Sequence, residues 1–385
     1  MAPVFTFRLT HTCGEARRGE MVTAHGPVQT PAFMPVGTQG AVKGVLPRDL
    51  HEMGAEILLA NTYHLSLRPG DARIARLGGL HAFSGWDRAV LTDSGGFQAF
   101  SLGDRRTIDE EGVRFRSHLD GSPHQLTPEG AADIQARLGS DIAMVLDECL
   151  AFPAERDHAA ASMERTARWA ARARARFLEL SSGAAGEMTN PGQAQFGIVQ
   201  GGVFPDLRRV SAEATVAVGF EAYAIGGLSV GEPAGQMYDV VACTAPLLPA
   251  DRPRYLMGTG TPLDLVEGVA RGIDLFDCVL PTRNARNGQL FTSSGRLNIK
   301  NAAFADDPAP IEEGCGCYAC RHFSRAYLRH LHLAGEIGAS TLNTLHNLWF
   351  YLDTMRRIRE ALVFGSFDRL RQDVRQVYSP RVADS

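Results

Sequence analysis

The chain has 385 residues, of which 44% are hydrophobic and 21% charged, and its formal net charge is -4 at pH 7. This composition is typical of a globular protein with one large domain or two ordinary ones, and it argues against a protein that coats nucleic acid. The first residues lack an apolar signal core, and no segment approaches the roughly 20 apolar residues of a spanning helix, so we expect a cytoplasmic protein without a membrane partner.

Eight short apolar runs, rich in Val, Ile, Leu and Phe, recur along the chain, and each is followed by a Gly, Asp or Pro. They cover residues 32–38, 56–65, 89–95, 141–149, 195–202, 223–231, 254–260 and 274–280. Helix-like segments separate them, and several of these begin at Pro or Asp and end at Gly. Eight alternating units predict an α/β protein with a closed parallel (β/α)8 barrel of the TIM type.

Two regions depart from this alternation. Residues 105–126 alternate polar and apolar side chains between turn residues, which predicts a β-hairpin insertion between the third and fourth strands. After the eighth run, a cysteine cluster and two amphipathic patterns predict a zinc-binding helical subdomain. We therefore expect the catalytic barrel over residues 1–300, the zinc-binding subdomain over 301–363, and a C-terminal helix and tail over 364–385.

Three of the predicted barrel strands end in a carboxylate, namely Asp93, Asp147 and Asp277. Each alone could simply cap a helix or bind loop backbone. Catalytic side chains of such barrels lie at the carboxyl ends of the strands, so three acids at one rim favour chemistry. Paired carboxylates suit reaction at an anomeric carbon, where one attacks and the other acts as acid and then base.

The ends of strands five to seven are rich in glycine, which allows backbone groups to approach a flat ligand. Glycine at these places could also merely relieve crowding in turns. However, the Gln200 amide and the Gly227 N–H can donate hydrogen bonds, while Asp147 can accept them. This set is complementary to O6, N1–H and N2–H of guanine, so the sequence predicts a purine site.

Cys315, Cys317 and Cys320 lie within one turn, which is the spacing of zinc ligands. A redox disulfide is the rival interpretation, although it is unusual in a cytosolic chain. A structural zinc ion needs a fourth ligand, and spacing alone leaves four downstream candidates open: His322, His330, His332 and His346.

Arginines concentrate after the eighth strand, first at Arg283 and Arg286 and then at Arg321, Arg325 and Arg329. A solvated helix face is the usual explanation of the second group. Beside a purine site, contact with RNA phosphates is the stronger interpretation.

The motifs together resemble the bacterial tRNA-guanine transglycosylases, that is, the queuine tRNA-ribosyltransferase family. They are LTDSGGFQAFSL, GSDIAMVLDEC, FGIVQGG, AIGGLSVGE, YLMGTGTP, FDCVLPTRNARNG and CGCYAC, in this order over nearly the whole chain. The resemblance implies a homodimeric pentosyltransferase of queuosine biosynthesis. Its members exchange the wobble guanine of tRNAs with GUN anticodons (Asp, Asn, His, Tyr) for preQ1, a 7-aminomethyl-7-deazaguanine.

The resemblance also assigns the chemistry. Asp277 matches the nucleophile that attacks ribose C1' and forms a covalent ribosyl-aspartate intermediate. Asp93 matches the general acid and base that protonates guanine and deprotonates preQ1. The target nucleotide has to be flipped out of its stack to reach the barrel mouth.

The remaining functional positions follow from the same resemblance. The implied base pocket consists of Asp93, Ser94, Phe97, Asp147, Cys149, Gln200, Gly227, Leu228, Val230 and Met257. The implied RNA contacts are Asn61, Gly258, Thr282, Arg283 and Arg286. One structural Zn2+ per subunit is implied at Cys315, Cys317, Cys320 and His346. Val230 and Cys149 match the preQ1 type, whereas Leu150 and Ala151 replace the Thr and Pro that are common in the family.

Two other functions remain open at this stage. A barrel glycoside hydrolase would also use paired carboxylates, but sugar sites are usually lined by Trp and none of the three Trp residues ends a strand. A non-catalytic tRNA-binding subunit of the same family would have no need of the intact Asp93 and Asp277.

Overall fold

The computed structural model describes residues 5–97, 106–184, 186 and 188–379, and its main sheet is a parallel barrel. The sheet contains these strands: β4 (Ala32–Met34), β5 (Val36–Gly37), β6 (Ile57–Ala60), β7 (Ala89–Thr92), β11 (Ile142–Met144), β12 (Ala194–Val199), β13 (Ala222–Ile225), β14 (Arg254–Leu256) and β15 (Leu275–Asp277). Their order is β4-β15-β14-β13-β12-β11-β7-β6-β5. Only Pro35 separates β4 from β5, so the two form one interrupted strand and the sheet closes. The predicted eight-stranded barrel is confirmed.

Helices follow the strands and cover the outside of the barrel. They are α1 (Pro47–Glu52), α2 (Thr62–Leu67), α3 (Asp71–Arg76), α4 (Gly79–Ser84), α5 (Pro128–Leu138), α6 (Arg156–Ser181), α7 (Pro205–Val218), α8 (Ala234–Thr244), α9 (Pro262–Val269) and α10 (Leu280–Arg286). Helix α9 begins with a capping box, in which Thr261 Oγ1 accepts from Asp264 N–H and Asp264 accepts from Thr261 N–H. This cap fixes where the loop after β14 ends.

An N-terminal antiparallel sheet, which the sequence did not reveal, lies at the opposite end of the barrel. Its strands are β1 (Thr6–Cys13), β2 (Ala16–Thr23) and β3 (Gly26–Thr30). Arg17 of this sheet donates to Asp274, directly before β15, with Nη2 2.8 Å from Oδ2. Most of β1 is exposed, so it lacks the alternation that marks a half-buried strand.

The predicted insertion is a sheet of three antiparallel strands, one more than a hairpin. They are β8 (Arg106–Ile108), β9 (Val113–Arg116) and β10 (Pro123–Leu126), in the order β10-β9-β8. Val113 and Phe115 are buried while Arg114 and Arg116 face out, which is the alternation that the sequence displays. Residue 105, where we placed the start of the insertion, lies outside the described residues.

The C-terminal part packs against the barrel, from its mouth to the opposite end, where Arg359 Nη1 donates to Pro31 O at 2.8 Å. It contains the hairpin β16 (Gln289–Thr292) and β17 (Gly295–Asn298) and the helices α11 (Tyr318–His322), α12 (Arg325–Leu333), α13 (Ile337–Val363) and α14 (Phe367–Tyr378). Tyr351 of α13 donates to Gly260 O at 2.7 Å, and Asn347 Nδ2 donates to Pro281 O at 3.0 Å. Arg371 and Arg375 of α14 bind Glu267 of α9. The domain boundaries given above remain predictions.

None of the helices within the described ranges combines the length and the apolar character that crossing a bilayer requires.

Candidate active site and metal centre

Asp277 ends β15 at the barrel mouth, and two neutral groups hold its carboxylate. Tyr255 Oη donates to Oδ1 at 2.5 Å, and Gly258 N–H donates to the same oxygen at 2.7 Å. Burial raises the pKa of Asp277, and these two hydrogen bonds only partly offset that effect. Because both donors bind Oδ1, the carboxylate is oriented with Oδ2 turned away from them.

Asp93 follows β7 and belongs to the same mouth. Asn61 Nδ2 donates to its Oδ2 at 2.5 Å, and the N–H groups of Thr62 and Gly95 donate to Oδ1 at 2.9 and 3.2 Å. Tyr255 links the two acids, since burial and then the negative charges of Asp277 and Asp93 raise its pKa well above the usual value. Both acids therefore lie close enough to Tyr255 for their charges to act on it.

Asp147, Gln200 and Gly227 converge as the sequence predicts. Gln200 Nε2 donates to Asp147 Oδ2 at 2.6 Å, and both residues are buried. Burial raises the pKa of Asp147 to about 6. Gly227 has φ +67°, and a Cβ at this position would lie 2.2 Å from Gln200 Oε1, so no other residue fits without displacing the amide.

The other predicted pocket residues differ in exposure. Ser94, Cys149 and Leu228 are buried, Met257 is half-buried, and Phe97 is 53% exposed. The exposed ring of Phe97 suits contact with a flat ligand that enters from solvent. Burial raises the pKa of the Cys149 thiol to about 12, so this thiol is neutral at physiological pH.

Behind Val230 lies a small cavity of about 20 Å³, lined in part by Leu150 and Ala151. Val230 O accepts from Phe152 N–H at 3.4 Å, which ties the loop after β11 to the loop after β13. Leu150 and Ala151, which depart from the family pattern, thus line the cavity behind Val230. They do not line the site of the carboxylates.

Three of the predicted RNA contacts, Thr282, Arg283 and Arg286, lie on α10, whereas Gly258 follows β14 and Asn61 caps α2. Arg283 is exposed, whereas Arg286 is partly buried and its Nη1 donates to Thr282 O at 2.8 Å. The Gly258 N–H already donates a hydrogen bond to Asp277 Oδ1. The N-cap residue Asn61 accepts from His64 N–H at 3.1 Å and also holds Asp93, so it connects helix α2 to the acid.

The arginines of the C-terminal part do not form one basic face. Arg321 is on α11 and the other two are on α12, because Phe323 and Ser324 interrupt the helix. Arg325 binds Asp307 and Ile311 O at 3.0 Å, and Arg329 Nε donates to Asn301 O at 3.0 Å. Arg325 and Arg329 therefore stabilise the subdomain, and their contact with phosphates stays a prediction.

Cys315, Cys317, Cys320 and His346 could hold a metal ion. The three sulfurs lie 3.8, 3.5 and 3.3 Å from His346 Nδ1. His346 Nε2 donates to Phe291 O at 2.8 Å, which fixes the proton on Nε2 and leaves the Nδ1 lone pair for a metal. Metal-ligand bonds of about 2.3 Å to sulfur and 2.1 Å to nitrogen place tetrahedral S and N ligands about 3.5 Å apart, so the four residues fit.

Sequence reasoning missed Tyr255 and Arg208. Tyr255 lies in a three-residue strand, which is too short to show on which side its side chain points. Arg208 is fully buried, and its position on α7 shares the buried stripe with Ser211, Ala212 and Thr215. A charged residue in such a stripe of small residues was the signal that could have found it.

The sequence is similar to one protein family throughout. The profile described as queuine tRNA-ribosyltransferase matches residues 12–380. Among similar proteins, the queuine tRNA-ribosyltransferase of Oleidesulfovibrio alaskensis is 54% identical over 383 residues, covering 100% of this chain and 99% of its own length. Those of Solidesulfovibrio magneticus and Aromatoleum aromaticum are 56% and 57% identical, covering 97% and 94% of this chain and 98% and 95% of their own lengths.

Proposed function

We propose the reaction of this protein from the premise that the chain belongs to the queuine tRNA-ribosyltransferase family, whose members are tRNA-guanine transglycosylases and hence pentosyltransferases. It exchanges the wobble guanine of tRNAs with GUN anticodons for preQ1, on the route to queuosine. The observation that supports the proposal is the pair of partly buried acids Asp277 and Asp93, of which the first binds the Tyr255 hydroxyl and the second acts on it through its charge.

The reaction proceeds by two displacements. Asp277 Oδ2 attacks C1' of the flipped-out nucleotide, the bond from C1' to N9 breaks, and Asp93 gives a proton to the departing guanine. Asp93 then takes the N9 proton of the incoming preQ1, whose N9 attacks C1' and releases Asp277. Two inversions leave the configuration at C1' unchanged. Tyr255 and the Gly258 N–H bind Oδ1, so that Oδ2 stays oriented towards C1' in both steps.

The base is recognised along its polar edge. Asp147 accepts from N1–H and N2–H, while the Gly227 N–H and the Gln200 amide donate to O6. Ser94 lies at the wall, Phe97 and Met257 enclose the ring, and Leu228 presents backbone to the aminomethyl group. Cys149 and Val230 close the pocket against bulkier 7-substituents, which favours preQ1 over queuine.

The tRNA is held outside the pocket, by Arg283 and Arg286 at the nucleotide beside the target and by Asn61 near the ribose. Thr282 and Gly258 line the same approach. We assign the protein to the cytoplasm because its substrate is tRNA, and we assign a homodimer from the family. The metal is one structural Zn2+ per subunit at Cys315, Cys317, Cys320 and His346, which stabilises the part of the chain that carries α11 to α13.

A competition experiment tests the substrate. Guanine, preQ1 and queuine are offered together to the protein and one tRNA with a GUN anticodon, and the incorporated base is identified by mass spectrometry of the nucleosides. We expect preQ1 to dominate and queuine to be excluded. Incorporation of queuine, or hydrolysis to an abasic site without any exchange, would refute the proposal.

The zinc assignment has its own test. His346→Ala should lower the metal content per chain and the melting temperature, because a structural ion contributes to folding. His322→Ala is the matched control, since His322 lies near the cluster but not in it. Full zinc occupancy in His346→Ala would show that another residue supplies the fourth ligand.

A further inference from the structure

A fully buried arginine lies directly behind the base pocket. Arg208 of α7 donates to four carbonyl groups at the ends of β12 and β13. Its Nε lies 2.8 Å from Gly202 O, its Nη1 lies 2.9 and 2.8 Å from Val199 O and Gly226 O, and its Nη2 lies 3.5 Å from Gly227 O. One side chain thus ties together the two strand ends that carry Gln200 and Gly227.

The charge of Arg208 has no acidic partner at bonding distance. No carboxylate of the described residues forms an ion pair with it, and Glu232 acts on it only through its more distant charge. Burial lowers the pKa of Arg208 to about 10, so the guanidinium stays charged at neutral pH. A buried charge that only carbonyls compensate is costly, and an apolar side chain would fill the same space at less cost.

The Gly226 carbonyl, which Arg208 Nη1 binds at 2.8 Å, belongs to the same peptide group as the Gly227 N–H. A hydrogen bond from a cation to that oxygen draws electron density from the peptide and makes its N–H a stronger donor. Among the described residues, none accepts a hydrogen bond from this N–H. The Gly227 N–H can therefore donate a hydrogen bond to a ligand.

We propose that Arg208 is a positioning residue that orients and polarises the peptide between Gly226 and Gly227, so that its N–H binds O6 of the leaving and the incoming purine. This inference deepens the proposed function and rests on it. When the bond from C1' to N9 breaks, negative charge spreads over the purine to O6. The Gly227 N–H then stabilises that charge with the strength that the cation behind it provides.

The test compares two bases, guanine, which has O6, and 2-aminopurine, which lacks it. Arg208→Lys keeps the charge but cannot span the four carbonyls. We expect its affinity for guanine to fall about 5- to 20-fold and its affinity for 2-aminopurine to stay within about two-fold of the wild type, measured by equilibrium fluorescence and competition. The affinity ratio of the two bases is the readout, because general damage to the fold lowers both affinities together.

Arg17→Lys is the matched control. Arg17 is also buried and also donates to carbonyls, Ala250 O at 2.9 Å and Arg252 O at 2.7 Å, but at the opposite end of the barrel. This variant should melt earlier and keep the wild-type ratio. An unchanged ratio in Arg208→Lys, with both affinities intact or both reduced by one factor, would overturn the inference. Guanine exchange by the wild type tests the proposed function separately.

A second measurement needs no variant and can still contradict the inference if Arg208→Lys does not fold, because the inference requires the Gly227 N–H to bind O6. In the unaltered protein, labelling with glycine that carries both a ¹³C carbonyl and ¹⁵N selects the amides of the four Gly–Gly peptides, at 78–79, 95–96, 201–202 and 226–227, among which Gly227 is assigned. The Gly227 amide resonance should move further downfield on guanine binding than the amide of Gly258, which already donates to Asp277. Failure of the Gly227 amide to shift would contradict the inference.

Discussion

Buried aspartates occur at both ends of this barrel, and the two ends treat them differently. At the end closed by the N-terminal sheet, Asp141 accepts from His25 Nδ1 at 2.8 Å and from His81 Nε2 at 3.0 Å. Burial works to raise the pKa of Asp141, but the hydrogen bonds from His81 and His25 outweigh it and the pKa is lowered. At the mouth, Asp147 and Asp277 have neutral donors, and their pKa values are raised.

The difference shows what each end is for. Asp141 also accepts from the backbone N–H groups of His25 and Val90. All of these hydrogen bonds favour the charged form of Asp141, and they hold the N-terminal sheet and β7 in place at this end of the barrel. At the mouth, the hydrogen bonds to Asp147 and Asp277 do not offset the effect of burial on their pKa values, a condition that stabilises nothing in the free protein but suits binding and proton transfer. Partner charge alone is not decisive, since burial raises the pKa of Asp274 even beside Arg17.

The largest effect is expected from Asp277→Asn. The amide can still accept from Tyr255 and Gly258, so the fold should persist, but the nucleophile is gone. We expect guanine exchange into tRNA to fall by about 10⁴-fold or more, with no loss of melting temperature. The measurement is the rate of incorporation of labelled guanine. A residual rate above about one hundredth of the wild-type rate would show that Asp277 is not the nucleophile.

Asp147→Asn should separate affinity from stability. Its amide NH2 would oppose the donors of guanine, so guanine affinity should fall about 100-fold or more. The folded pKa of about 6 lies above the value of 3.8 for an unperturbed Asp, so stability from Asp147 is complete below pH 4 and lost as the pH rises through 6. The variant should therefore gain up to about 3 kcal/mol at pH 7 and nothing at pH 4, as measured by urea unfolding.

Asp141→Asn should show the opposite sign. Because the folded pKa of Asp141 is depressed, its contribution is present above the unfolded pKa and lost as the pH falls through the folded one. We expect a loss of about 2 to 3 kcal/mol at pH 7 that shrinks in acid, with exchange per folded molecule unchanged. Equal pH dependence of the Asp141 and Asp147 variants would remove the distinction between the ends.

The smallest effect concerns the exposed arginines. Arg283→Ala, at the mouth, should reduce the slope of log affinity for tRNA against log salt by about 1. Arg252→Ala, just before β14 at the closed end, removes a comparable side chain and should leave the slope unchanged. A similar change in both variants would mean that tRNA binding does not distinguish the two ends.

The parts that could be predicted from sequence are those with a local signal. Strand ends marked by Asp or Gly gave the barrel and its rim acids, and three cysteines within one turn gave the metal cluster. His346 could not be chosen by spacing, because it reaches the cluster from another helix, 26 residues after Cys320. Tyr255 depends on which side of a three-residue strand faces the pocket, and only the packed structure fixes that, whereas the charge of Arg208 in a stripe of small residues was a local signal in the sequence.

The most direct test of the central claim is to locate the covalent intermediate. The protein is incubated with a tRNA of GUN anticodon in the absence of an incoming base, denatured, digested with nuclease and protease, and mapped by mass spectrometry. We predict a ribosyl adduct on the peptide that contains Asp277, and none in Asp277→Asn. An adduct on the peptide of Asp93 or Asp147, or exchange that continues without any adduct, would contradict the assignment of Asp277 as the nucleophile.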